Sequence, residues 1–207
     1  MKIPGLKSAA SPAAEIPMRR GALETGIDGV ALRMALTERH KQGGSDVRRD
    51  VLEIFKTTRQ TAMDTASELF MAGRLGGLEM ARRIAAIHDD ILTALYDYTV
   101  THIVRASNPT ARERMSLCVV GGNGRGEMAP YSDIDLLFLL ADKKGSAFTE
   151  TVTEYILYML WDMNLKIGHS SRSIEQCLSL AKEDQTILTA LLDMRYLAGE
   201  RELADQL

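Results

Sequence analysis

Two aspartates, Asp133 and Asp135, stand one residue apart at the start of the apolar run IDLLFLL. On a β-strand, residues i and i+2 project to the same side, about 6.6 Å apart along the chain at ~3.3 Å per residue. A carboxylate in such a run needs a compensating charge. Mg²⁺ takes hard oxygen ligands and is commonly held by one or two carboxylates plus substrate phosphates. The pair therefore predicts a Mg²⁺ site in which both aspartates are ligands.

A glycine-rich stretch, GGNGRG, precedes the aspartates and follows the short apolar run LCVV. Glycine allows positive φ and close approach of backbone N–H groups to phosphate oxygens. We expect Arg125 to bind a phosphate bidentately and Ser132 to donate its hydroxyl. The stretch is neither a Walker A loop, since no Gly-Lys-Ser/Thr follows, nor a dinucleotide fingerprint, since Pro130 and a second strand intervene. The glycines are Gly121, Gly122, Gly124 and Gly126.

The chain ahead of this motif is predicted to be helical. Residues 1–44 contain three prolines and are expected to form a flexible leader with one helix near Val30–His40. Residues 45–107 form a helical segment: one amphipathic helix capped by Ser45 and ending at Gly73, then a second that ends before Asn108-Pro109. The apolar stripe of the second helix consists of Ile84, Ile87, Ile91, Leu95 and Tyr98.

Residues 112–207 mix strand and helix patterns and are predicted to form the catalytic core. The strand candidates are LCVV, DIDLLFLL and NLKIGHS, with Ile134, Leu136 and Phe138 facing the core. Helices are predicted over AFTETVTEYILYMLWDM and over SIEQCLSLAKED, the latter capped by Ser173. The final run, QTILTALLDMRYLAGERELADQL, is interpreted as helical with an interruption at Gly199. The fold class is α+β.

Composition excludes several classes of protein. The 207 residues carry a formal net charge of −3, so there is no basic field of the kind that nucleic-acid binders use. Cys118 and Cys177 are far apart and lack the spacing of a zinc site, which indicates a reducing cytoplasm. No apolar run is long enough to span a membrane.

The motif GGNGRGEMAPYSDIDLLFL resembles the active-site motif of the protein-PII uridylyltransferases, a branch of the polymerase-beta-like nucleotidyltransferases. The likeness extends over residues 49–207. It implies a polymerase-beta-like core with a small mixed sheet, in which Gly121, Gly122 and Ser132 bind the nucleoside triphosphate and Asp133 and Asp135 bind Mg²⁺. By the same resemblance, the chain would transfer UMP from UTP to a tyrosine hydroxyl of the signalling protein PII and release pyrophosphate.

The sequence departs from the family pattern in three places. Asn123 replaces an aromatic residue, and Ser171 replaces an apolar one. The third carboxylate that the superfamily places on a later strand is missing from residues 166–170, which Asp162 and Glu175 only flank. Family members are several times longer and carry phosphohydrolase and ACT domains, so we expect this chain to be an amino-terminal portion, with an incomplete core and neither of those domains.

Two other functions remain open. One is an adenylyltransferase acting on another protein; the other is an inactive module that binds nucleotide or PII. His169 and Arg172 could hold phosphates or uracil, although a strand-end role is the simpler interpretation of His169. The dipeptide His88-Asp89 resembles the metal-binding pair of HD phosphohydrolases, but it lacks partners at ligand spacing and is interpreted as a packing or surface feature of a helix.

Overall fold

The computed structural model describes residues 25–104 and 111–207. Three helices come first, and a four-stranded sheet with further helices follows. The helices are α1 (Gly29–Gln42), α2 (Val47–Met71), α3 (Gly77–Tyr98), α4 (Gly121–Gly124), α5 (Ala147–Asp162), α6 (Ile174–Glu183), α7 (Gln185–Leu192) and α8 (Arg201–Gln206). The strands are β1 (Met115–Val119), β2 (Ile134–Leu140), β3 (Ile167–Ser173) and β4 (Arg195–Gly199). A π-helical turn covers Thr99–Ile103, and a 3₁₀ turn covers Ala111–Glu113.

The helix predicted within the leader is present as α1. Asp28 caps it by accepting hydrogen bonds from the backbone N–H groups of Val30 and Ala31. Its Leu32 and Leu36 side chains are buried in the core, so this part of the predicted leader is packed rather than loose. Burial of two leucines supplies the stabilisation that the weak helical pattern does not show. Residues 1–24 lie outside the described residues.

The two long helices of the helical segment are confirmed. All five residues of the predicted α3 stripe are buried. The predicted cap of α2 is off by one residue, because Asp46 and not Ser45 occupies the cap position, without a side-chain hydrogen bond. Beyond the end of α2, Gly73 has φ +69, a conformation that glycine adopts without strain. The break predicted at Asn108-Pro109 falls outside the described residues.

The strands form one mixed sheet in the order β3-β2-β1-β4. β1 is antiparallel to β2 and to β4, whereas β3 is parallel to β2. As predicted, one side of β2 packs into a core shared with α1, α2, α3 and α5. Leu137 and Leu139 point to the opposite side and pack with Cys118 and Cys177 in a second, smaller cluster. The polar start of β2 therefore lies at the end of a strand that is otherwise buried on both sides.

The prediction for the last run of the chain was wrong. Instead of one interrupted helix, the chain forms α7, then β4, then α8. β4 pairs with β1, and tertiary pairing of this kind overrides a local helical pattern. At Gly199, where φ is +90, an added Cβ would lie 2.4 Å from the Met115 carbonyl oxygen, so the position needs glycine.

Of the remaining predicted elements, the third strand forms as β3, but at Ile167–Ser173 it lies three residues further along the chain than the predicted NLKIGHS. α5 and α6 form where the pattern indicated, and Ser173 caps α6 with reciprocal help from Gln176, whose Oε1 accepts the Ser173 backbone N–H at 2.8 Å. Across residues 25–104 and 111–207, no helix combines the length and the apolar character that crossing a membrane requires.

Candidate functional site

Asp133 and Asp135 lie at the end of the sheet where the inner strand β2 begins. Asp133 directly precedes the strand, and Asp135 is its only exposed residue. Partial burial raises the pKa of the Asp135 carboxyl group, and the neighbouring charge of Asp133 raises it further. Asp135 thus reaches solvent while its carboxylate loses part of its hydration. The negative charge of Asp133 beside the partly buried Asp135 carboxylate makes this place favourable for a cation.

Two glycines border the Asp135 carboxylate. Gly168 is paired with Asp135 in the register of β2 and β3, and a Cβ added there would lie 2.3 Å from Asp135 Oδ1. On the other side, a Cβ added to Gly121 would lie 3.3 Å from Asp135 Oδ2. The carboxylate therefore occupies space that side chains at these positions would fill. Sequence reasoning missed Gly168, because its role depends on the register.

A third acidic ligand beside Asp133 and Asp135 is absent from residues 25–104 and 111–207. Within the described part of the chain, no group of three or more His, Cys, Asp or Glu residues could hold a metal ion. The two flanking candidates are paired elsewhere: Asp162 with Arg48, and Glu175 with Lys143. The position opposite Asp135 on β3 is Gly168, which has no side chain to contribute. The donor set at this edge is therefore two carboxylates.

The glycine-rich stretch begins as the short helical turn α4, directly after β1. Gly121 starts the turn with φ +59. The Val120 N–H, just before it, donates to the Asp135 backbone carbonyl at 3.0 Å, which ties the turn to β2 beside the aspartates. At the other end, a Cβ on Gly124 would lie 2.0 Å from the Asp193 carbonyl oxygen, so only glycine allows this approach. The structure thus brings Gly121 next to Asp135, whereas Gly122 approaches the Glu127 carbonyl oxygen.

Arg125 and Ser132 lie on either side of the next loop, and both are exposed. Arg125 forms an ion pair with Asp193, so contact with a phosphate would require it to exchange partners. Ser132 directly precedes Asp133 and follows Tyr131, which has φ +67. Ser132 also lines a cavity of about 340 Å³ between this loop, α2 and α3. Ser132 and Asp133 are thus neighbours, whereas Arg125 is held by another residue.

Sequence reasoning missed an ion pair behind the glycine turn. Arg195, the first residue of β4, forms two hydrogen bonds with Asp89 of α3, of 2.6 and 3.0 Å. The same guanidinium donates to the backbone carbonyls of Asn123 at 2.7 Å and of Gly124 at 3.2 Å. Burial raises the pKa of Asp89, while Arg195 opposes that rise. The pair fastens the glycine turn to α3 and β4 at once.

Asn123, where the family pattern has an aromatic residue, is buried in this turn. Neither polar atom of its amide makes a hydrogen bond of normal geometry, although its position near Asp89 lowers the pKa of that carboxyl group slightly. His88, next to Asp89, is also buried, with Nδ1 3.3 Å from the Met128 sulfur. Burial lowers the pKa of His88 to about 4, so the ring is neutral at pH 7. The packing interpretation is therefore confirmed for His88, whereas Asp89 is the ion-pair partner of Arg195.

The sheet, the glycine turn after β1 and the Ser-Asp-x-Asp at the start of β2 together define a nucleotidyltransferase domain with a polymerase-beta-like core. A family model described as "Putative nucleotidyltransferase DUF294" matches residues 60–165, just over half of the chain. The chain belongs to this nucleotidyltransferase family.

Relatives of known annotation are similar over most of the chain. A bifunctional uridylyltransferase/uridylyl-removing enzyme of Phenylobacterium zucineum (strain HLK1) is 45% identical over 193 residues, which cover 92% of this chain and 20% of that protein. The enzyme of the same description from Caulobacter vibrioides (strain NA1000 / CB15N) is 42% identical over 200 residues, again 92% of this chain and 20% of the relative. The chain thus spans about a fifth of the length of the curated relatives it matches.

Proposed function

We propose that this chain transfers UMP from UTP to a tyrosine hydroxyl of the signalling protein PII and releases pyrophosphate. The observation that supports this most directly is the placement of Asp133 and Asp135 beside the Gly121–Gly124 turn, with the Asp135 carboxylate set between Gly121 and Gly168. The uridylyl group rests on the names of the relatives, and the PII acceptor rests on the resemblance of GGNGRGEMAPYSDIDLLFL to the motif of the protein-PII uridylyltransferases.

In the proposed reaction the tyrosine oxygen attacks the α-phosphorus of UTP. The bond from that phosphorus to the oxygen bridging the α- and β-phosphates breaks, pyrophosphate leaves, and the hydroxyl proton passes to solvent. Asp133 and Asp135 would hold Mg²⁺, which, when bound, neutralises charge that develops on the phosphates. The two carboxylates suit this ion because it usually keeps several waters and takes further oxygens from substrate phosphates.

The remaining residues of the site would orient the nucleotide. Backbone approach at Gly121 and Gly122 would let the triphosphate lie against the glycine turn, with the Ser132 hydroxyl donating to it. Arg125 would leave Asp193 and bind a phosphate oxygen pair. Cys118 and Cys177 are buried free thiols, as expected of a protein in a reducing compartment, and we place the reaction in the cytoplasm.

The experiment is the intact mass of purified PII after incubation with this chain, UTP and Mg²⁺. We expect a gain equal to one UMP per modified PII subunit, and loss of that gain in Asp133→Asn and in Asp135→Asn. A folded chain that leaves the mass of PII unchanged would contradict the proposal. Competition between UTP and ATP in the same assay distinguishes the adenylyltransferase alternative.

A second candidate function is a module that binds nucleotide or PII without transfer. The observation that favours it is the two-carboxylate donor set, since no third acidic group joins Asp133 and Asp135 among the described residues. Nucleotide binding that depends on Asp135, combined with no modification of PII at any Mg²⁺ concentration, would support this candidate over the transferase.

A further inference from the structure

A second cavity, of about 180 Å³, lies on the side of the sheet that the Asp135 carboxylate faces. Its floor is formed by β2 and β3, and its roof by α7. Val120, just before the glycine turn, borders it. Its lining includes Leu137, Ser170 and Arg172 from the sheet and Thr186, Ile187 and Ala190 from α7.

The register of the sheet fixes the distance from this cavity to the aspartates. Asp135 pairs with Gly168, and the next pair on the same side is Leu137 with Ser170. Successive same-side pairs are about 6.6 Å apart along a strand. The cavity therefore begins one pair beyond Asp135, on the side away from Asp133. If the phosphates of a nucleotide lie at the aspartates, its sugar spans the distance to the cavity and its base enters the cavity.

The lining combines apolar walls with a few hydrogen-bonding groups, as small-molecule sites usually do. Leu137, Ile187 and Ala190 supply flat apolar contact. Hydrogen-bond donors come from the hydroxyls of Ser170 and Thr186 and from the Arg172 guanidinium. Asp184 also borders the cavity, and one of its carboxylate oxygens accepts the Thr186 backbone N–H at 2.7 Å as the cap of α7. The Thr186 side chain and the Ile187 backbone N–H also contact this carboxylate, which has two oxygens that accept hydrogen bonds.

We propose that this cavity binds the uracil ring of the nucleotide. Uracil presents two carbonyl acceptors and one N–H donor, which match the hydroxyl and guanidinium donors and the carboxylate acceptor of the lining. A volume of about 180 Å³ is below the ~300–1,000 Å³ of pockets that enclose whole drug-sized ligands, so it suits one ring while the phosphates stay outside. This inference rests on the proposed nucleotidyltransferase function and adds the origin of base selectivity.

The larger cavity beside Ser132 is a less suitable place for the base. It is lined by Ile134, Met80 and Ile84, which belong to the helical core on the opposite side of β2. Asp135 does not face that side. A base bound there would place the sugar across the start of β2 rather than along the glycine turn.

The test compares two substitutions on adjacent positions of α7. Ala190→Leu fills the cavity, whereas Thr189→Leu adds similar apolar bulk at an exposed position that does not line it. Binding of UTP and of inorganic triphosphate, each with Mg²⁺, is measured by calorimetry. We expect Ala190→Leu to weaken UTP binding roughly tenfold or more, because the leucine side chain would occupy the space proposed for the base. Binding of inorganic triphosphate should be unchanged. Thr189→Leu should change neither.

Arg172→Met and Thr186→Val test the same site without relying on a buried substitution. We expect both to reduce the preference for UTP over CTP and ATP while triphosphate binding stays the same. Unchanged UTP affinity and selectivity in all three lining variants, with transfer still abolished by Asp135→Asn, would overturn this inference and leave the proposed function intact. A wild-type chain that binds triphosphate but shows no preference for UTP would overturn it as well. Failure of the wild-type chain to bind any nucleotide would refute the proposed function itself, and this inference with it.

Discussion

Arg195 and Asp89 are 106 positions apart in the chain, yet they form a two-hydrogen-bond ion pair directly behind the glycine turn. Asp89 belongs to α3 and Arg195 to β4, so the pair links the helical segment to the last strand. The guanidinium also binds the carbonyls of Asn123 and Gly124, which form the second half of the turn. Through this one side chain, α3 and β4 position the backbone on which the triphosphate is proposed to lie.

Arg195→Lys should impair both nucleotide handling and folding. Lysine keeps the positive charge but loses the planar fork that contacts one carboxylate and two carbonyls at once. We expect kcat/KM for UTP to fall roughly tenfold, mainly through KM, while the free energy of unfolding falls by about 2 kcal/mol. Initial rates of UMP transfer and urea melts, measured on the same preparation, check both values.

Arg39→Lys is the matched control for that substitution. Arg39 contacts the Asp50 carboxylate at 2.8 Å and the Gly43 carbonyl at 2.9 Å, so it makes the same kinds of bond between α1 and α2. We expect a comparable change in the urea midpoint and an unchanged KM for UTP. Equal effects of the two substitutions on KM would show that Arg195 acts only through stability.

Gly168→Ala should disturb the aspartate pair selectively. The new methyl group would lie 2.3 Å from Asp135 Oδ1, so the carboxylate must rotate away. Because the obstructing atom ends a side chain, the loss of stability should be small, about 1 kcal/mol. The Mg²⁺ concentration for half-maximal transfer should rise roughly tenfold, since a displaced ligand of a site with two carboxylates weakens the remaining site.

Gly77→Ala provides the comparison for a glycine in open space. It lies at the start of α3, and no atom is within 4 Å of an added Cβ. We expect unchanged Mg²⁺ dependence and slightly higher stability, because alanine favours helix. Identical Mg²⁺ titrations for wild type and Gly168→Ala would show that the Asp135 carboxylate does not need the space that Gly168 leaves free.

The sequence predicted the parts of the site whose residues are close together in the chain. The aspartates, Ser132 and the glycines fall within one stretch of fifteen residues, and their chemistry is visible from type and spacing. Strands β1 and β2 and the long helices were also predictable, because each has a clear apolar pattern, whereas the bounds of the polar strand β3 were not. These elements account for the core and for the position of the candidate metal site.

The remaining features depend on pairings that a single sequence does not reveal. β4 is five residues long, and it forms because β1 offers a free edge, not because RYLAG has a strong strand pattern. The partnership of Asp89 with Arg195 follows from that pairing. Gly168 matters only through the register of β3 against β2, which no local pattern determines.

Acidification should destabilise the fold through His88. Burial, aided by the charge of Arg59, lowers its pKa from 6.5 to about 4. Between those values the unfolded chain binds a proton that the folded chain does not, so the free energy of unfolding falls as the pH falls. From pH 7 to pH 5 the loss should be about 2 kcal/mol.

His88→Gln separates this effect from other titrating groups. Glutamine has no proton to bind, whereas the carboxyl groups and the other histidines remain in both proteins. We therefore expect the difference between the two pH profiles, measured by urea melts at pH 7, 6 and 5, to show the His88 contribution alone. Parallel profiles would mean that His88 binds its proton equally well in the folded and the unfolded chain.

Asp193 should compete with the nucleotide for Arg125. The two form an exposed ion pair, and such pairs contribute little to stability, typically ~0–1 kcal/mol. Asp193→Asn should therefore leave the melting temperature nearly unchanged, yet lower KM for UTP about threefold, because Arg125 no longer has to leave a carboxylate before it binds phosphate. Arg125→Ala should raise KM, and the double variant should match Arg125→Ala. If Asp193→Asn lowers KM even when Arg125 is absent, Asp193 acts on the nucleotide by its own charge and Arg125 is not the phosphate ligand.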